Sequence, residues 1–123
     1  MAQGPTSIIL LSGSTSGKSI KVAATSTPGT AIHTAVTGTS AFDRVYLWAT
    51  NTDTTGRTLT IEWGGVTDPD NLVLKAYPII ASSSPYLIVD GLVLNGGLLI
   101  KAFASSANVI LITGYAKRVA TGQ

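Results

Sequence analysis

The sequence predicts an all-β chain: a single-domain β-sandwich, jelly-roll-like, of about eight or nine strands. Three observations predict it. Turn-forming clusters recur every eight to twelve positions along the 123 residues, the spacing of a sandwich or barrel. The runs between them are rich in Val, Ile, Leu, Thr and aromatic residues, which fit a pleated, half-buried surface. Nowhere does an apolar 3.6-residue period persist for three turns, so a helix would have no coherent face to bury.

The elements follow in chain order. Residues 1–11, MAQGPTSIILL, read as an N-terminal arm ahead of a sandwich domain at 12–123. The arm has no basic n-region and its apolar run is only Ile8 to Leu11, so neither a signal peptide nor a membrane span is expected. The next stretch, SGSTSGKSI, resembles a phosphate-binding loop until its spacing is counted. Between Gly13 and Gly17 lie three residues, where a Walker A loop needs four, and the KSIKVAA that follows alternates like a strand instead of opening a helix. A hydroxyl-rich hairpin loop is the expectation there.

Ile20 to Ala24 and Ala31 to Val36 are expected strands, separated by the Pro28-Gly29 turn. Arg44 to Ala49 follows. TLTIEWG at 58–64 is the clearest, with Leu59, Ile61 and Trp63 alternating with Thr58, Thr60 and Glu62; one face should be buried and the other wet. Leu72 to Tyr77, Tyr86 to Val89, Leu98 to Ala104 and Val109 to Tyr115 complete the set. The expected core is Leu47, Leu59, Ile61, Leu74, Ile100 and Leu111. The last strand, within ANVILITGYA, is apolar on both faces, as a strand is between two covering layers or against a neighbouring subunit.

Composition narrows the function. Hydrophobic residues make up 45% and charged ones 11%, while Ser and Thr fill roughly a quarter of the chain, so the surface is hydroxyl and amide more than ionic. A net charge of +2 with scattered Lys and Arg is too small for dense phosphate neutralisation, so no direct nucleic-acid binding is expected. The absence of Cys excludes disulfides and thiolate zinc sites.

Candidate chemistry is sparse. His33 is the only histidine and reads as a surface or subunit-contact residue, the alternative being proton transfer. Asp68 and Asp70 in TDPDN stand two apart, as at the start of an oxygen-ligand cation site, yet the remaining ligands are missing and the segment favours a turn. Glu62, the only Glu, is expected on the wet face of its strand, and each Asp at a turn or strand end, so no carboxylate pair for glycoside hydrolysis is expected. Tyr46 and Trp48 share one strand face; such rings serve either packing or a stacking platform for sugar or single-stranded nucleic acid. No catalytic residue, cofactor or metal site is expected.

NTDTTGRTLTIEWGG at 51–65, GLVLNGGLLIKAFASSANVILITGYAKR at 91–118 and IKVAATSTPGTAIHTAV at 20–36 resemble the small Ser/Thr-rich β-sandwich structural proteins of tailed bacteriophages. The resemblance is one of strand-and-turn style and implies a virion protein made in the host cytoplasm. The type it implies is a head decoration or cement protein, typically a homotrimer, whose partners are the major capsid protein or other virion subunits. A neck, tail or fibre-tip module and a carbohydrate-binding module are the competing readings. Partner contacts are expected at Ile8, Ile9, Leu10 and Leu11 of the arm and at Ile110, Ile112 and Tyr115 of the last strand. A mean hydropathy of +0.37 is high for so small a monomer and supports a covered apolar surface.

Overall fold

A computed structural model describes residues 6–82 and 84–120. The strands are β1 (Thr6–Leu10), β2 (Ile20–Lys21), β3 (Thr30–Thr34), β4 (Ala41–Asn51), β5 (Arg57–Trp63), β6 (Leu72–Ile79), β7 (Tyr86–Leu94), β8 (Leu99–Ala104) and β9 (Ile110–Ala120). Among the described residues there is no helix.

The strands form two antiparallel sheets, one ordered β1-β9-β4-β7 with β2 also on β9, the other ordered β3-β8-β5-β6. β1 and β2 follow each other along the same edge of β9: Thr6 to Leu10 pair with Val119 to Tyr115, and Ile20 and Lys21 with Ile112 and Leu111. They act as one strand interrupted by the loop at 11–19. Counted so, the first and last strands are neighbours and successive strands pass between the sheets except at the β5–β6 hairpin, which is the jelly-roll order.

Period-two alternation decides which side chains meet between the sheets. From β4, Val45, Leu47 and Ala49 point inward; from β9, Ile110, Ile112 and Ala116; from β5, Leu59 and Ile61; from β8, Ile100, Ala102 and Ala104. Leu11, Val22, Ile32, Ile79 and Val89 close the ends of this layer. Each fully buried Leu, Ile or Val contributes about 1.5–3 kcal/mol relative to exposure. Of the expected core, Leu47, Leu59, Ile61 and Ile100 are buried, and Leu74 packs half-buried against them.

Leu111 corrects the expectation. Its neighbours Ile110 and Ile112 take the inward positions, and Leu111 stands half-buried on the outer face, across from Thr50 and Lys21. In a strand apolar on both faces, the pattern alone does not say which face is the core. Within the expected arm, Thr6 to Leu10 form strand β1, paired with β9, while Met1 to Pro5 lie outside the described residues.

Candidate functional site

The buried polar groups come first, because chemistry needs them. β4 alternates strictly, so Asp43 shares the inward face of Val45 and Leu47 and is fully buried. On β3 the register slips between Ala31 and His33, which turns His33 inward as well as Ile32. His33 Nε2 lies 2.8 Å from Asp43 Oδ2. Arg118, inward on β9, donates from Nε to Oδ1 at 2.8 Å and from a terminal nitrogen to Oδ2 at 3.0 Å. The Val36 amide adds a bond to Oδ2 at 3.2 Å.

These positions correct two expectations: His33 is not at the surface, and Asp43 lies inside a strand and not at a turn. Burial pushes the Asp43 carboxyl up, but the hydrogen bonds from Arg118 and His33 and the charge of Arg118 outweigh it and hold the group below the usual carboxylate range. The cluster has the members of a charge relay without its nucleophile. The Ser12 amide donates to His33 Nδ1 at 3.0 Å, so both ring nitrogens are engaged. The Ser12 hydroxyl accepts from the Thr34 amide at 2.6 Å. What the arrangement does is tie β3 of one sheet to β4 and β9 of the other.

Glu62 corrects a third expectation. Its strand places it on the outer side of the four-stranded sheet, yet it is buried because the loop at 25–29 folds over it. Its carboxylate accepts from Thr27 Oγ1 at 2.5 Å and from the Gly29 amide at 2.7 Å. Gly29 is required there, since a Cβ would stand 2.5 Å from the Ala102 carbonyl oxygen.

The remaining motifs resolve into turns. In the loop at 12–19, Ser14 Oγ donates to the Lys18 carbonyl and the Lys18 amide to Thr15, and a strand follows instead of a helix. The Asn71 side chain accepts from the Thr67 amide, and Asp68 pairs with Lys75. Among the described residues no three His, Cys, Asp or Glu side chains gather as a metal site, and every buried side-chain nitrogen and oxygen has a partner.

The face left open is the outer side of the five-stranded sheet, over which no described strand or helix lies. Its register sets cross-strand rows. Ile8, Lys117, Arg44 and Val93 form one; Leu10, Tyr115, Tyr46 and Asp90 the next; Thr113, Trp48 and Leu87 a third; Lys21, Leu111 and Thr50 a fourth. Tyr115 stacks on Tyr46 with centroids 5.1 Å apart and lies 6.1 Å from Trp48. Ile8 is 70% exposed, Leu10 56%, and Leu87 and Val93 each 47%. Glycine makes the ring row possible: a Cβ on Gly114 would sit 2.0 Å from the Tyr46 carbonyl oxygen, so only Gly lets β9 run this close to β4.

The seven expected contact residues therefore divide. Ile8, Leu10 and Tyr115 stand on this face, whereas Leu11, Ile110 and Ile112 are core residues and Ile9 packs against the core. Sequence reasoning missed Arg44, Lys117, Leu87 and Val93. The pairing of β4 with β9 and β7 gathers them, and no local pattern encodes that pairing. Compared with protein-family models, curated proteins and solved structures, the chain matches none.

Proposed function

We propose that the chain is a virion structural protein. In this reading it is a capsid decoration or cement protein that binds and stabilises a phage head and performs no catalysis. The observation that carries the reading is the open face of the five-stranded sheet, where large apolar and aromatic side chains stand in adjoining rows without a covering layer. Contiguous apolar surface of this kind marks a partner site. The buried polar groups support a structural role, because each is consumed by bonds that hold strands or loops in place. The jelly roll recurs in viral capsid and lectin domains; fold alone assigns neither, so the weight rests on the face.

In this proposal the partners are the major capsid protein or other virion subunits, and the chain itself is a homotrimer. The β1 edge is the proposed contact between copies, since Ile8 and Leu10 are among its most exposed large apolar side chains and an unpaired strand edge adds hydrogen bonds to apolar contact. The protein would be made in the host cytoplasm and reside on the virion. A neck, tail or fibre-tip position would use the same face. The carbohydrate-binding reading is weaker, because Tyr46, Tyr115 and Trp48 stack on one another, whereas a sugar platform presents free ring faces.

Two measurements test this. Light scattering of the purified chain is expected to give the mass of three copies, and a monomer mass would defeat the trimer. Sedimentation with empty heads of the particle that encodes the chain is expected to carry the protein into the pellet; protein left in the supernatant would defeat the decoration role.

A further inference from the structure

Folding alone does not explain the pair of cations on the two central strands of the open face. Arg44 and Lys117 are direct cross-strand partners, and like charges so placed destabilise a sheet. Three of the other cations are matched with carboxylates: Arg57 with Asp53, Lys75 with Asp68, Arg118 with Asp43. Arg44 and Lys117 have no such partner among the described residues. Each is held over a ring instead, Arg44 5.8 Å from the Phe42 centroid and Lys117 5.5 Å from that of Tyr46. Arg44 also donates to the Gly91 carbonyl at 3.3 Å. Lys21 adds a third cation to the same face, against the single carboxylate of Asp90.

We propose that this face binds an acidic protein surface, which seats a carboxylate between Arg44 and Lys117 and lays apolar side chains on Leu87 and Val93. The inference rests on reading the face as the docking surface of the protein, and it names the chemistry of what docks. Charge complementarity selects the occupant. A second copy laid face to face would set cation against cation, so this patch does not fit itself. The rings and aliphatic stems hold both cations in place before binding, which lowers the cost of ordering them. Rings already stacked on each other offer little to nucleobases, and three cations are few for a polyanion.

The test compares three proteins: the unaltered chain, the R44Q/K117Q double variant, and a K75Q/K101Q double variant that loses the same charge from the other sheet. Each is titrated onto an immobilised peptide of alternating Glu and Val, and separately onto empty heads, with thermal melting to verify the fold. R44Q/K117Q is expected to bind the peptide and the heads at least tenfold more weakly, K75Q/K101Q within twofold of the unaltered chain, and 0.5 M NaCl to remove most of the difference. Equal losses in both variants, or none in R44Q/K117Q, would overturn the proposal. Tighter binding of heparin or single-stranded DNA than of the peptide would overturn it in favour of a polyanion site. Peptide binding that depends on Arg44 and Lys117 without head binding would leave the acidic site standing and remove the virion reading. Head binding indifferent to R44Q/K117Q would do the reverse.

Discussion

His33 Nε2 and Asp43 Oδ2 stand 2.8 Å apart with both side chains shut away from solvent, joining the two sheets through a buried hydrogen bond. Because the Ser12 amide donates to Nδ1, Nε2 is the ring nitrogen that faces the carboxylate as donor. The negative charge of Asp43 is balanced by Arg118, whose paired donors reach both carboxylate oxygens.

Removing the carboxylate is therefore expected to be costly. Asp43→Ala leaves His33 and the Arg118 guanidinium without their acceptor and should lower stability by about 3–5 kcal/mol. Asp43→Asn separates charge from shape. The folded-state pKa of Asp43 is depressed, so its stabilising contribution is present above the unfolded value of about 3.9 and is lost as pH falls through the lower folded value. Urea denaturation of the unaltered protein and of Asp43→Asn should show a gap at pH 7 that narrows below about pH 4. A gap that is constant with pH would contradict this account of the contact.

Glu62 should govern the order of the loop above it. Glu62→Ala removes the acceptor of Thr27 Oγ1 and of the Gly29 amide and is expected to cost about 3 kcal/mol, given about 1.5–3 for each bond to a charged group. Hydrogen exchange provides the check. The Gly29 amide should lose protection in the variant while amides of β4 and β9 keep theirs.

Gly114→Ala should force β9 away from β4, since the new methyl would overlap the Tyr46 carbonyl oxygen. A loss of at least about 2 kcal/mol is expected, as for overpacking, with a change in near-ultraviolet circular dichroism as the Tyr46–Tyr115 stack is disturbed. Gly56→Ala, whose methyl would meet only the Ile79 carbonyl oxygen at 3.8 Å, should change stability by less than about 0.5 kcal/mol.

Adjacent residues of β9 should respond unequally. Ile112→Ala opens a cavity in the core and is expected to cost about 2–5 kcal/mol, as are Leu59→Ala and Ile61→Ala. Leu111→Ala trims the outer face and should cost less than half as much. Equal costs at 111 and 112 would contradict the observed register.

Strand identity was legible wherever alternation was clean. Leu59 and Ile61 of β5 announce their burial by the polar residues between them, and Leu47 of β4 does the same. Extending that alternation back to Ala41 would also have placed Asp43 inward with Val45, a signal present in the sequence. His33 gave no such signal, because a bulge between Ala31 and His33 breaks the period that assigns a face. Nor did Glu62, whose burial depends on a loop 33 to 35 residues away in sequence. The open face is a product of pairing: Ile8, Lys117, Arg44 and Val93 come from four strands spread over the whole chain, and only the jelly-roll order aligns them.

The proposed function has this protein sit on a phage head through the outer face of its five-stranded sheet. Electron cryo-microscopy of the particle that encodes it tests this most directly. The account predicts jelly-roll density on the outside of the head, with Arg44 and Lys117 turned toward the capsid surface. Particles without that density, or a subunit whose Tyr46, Tyr115 and Trp48 row faces open solvent, would contradict it.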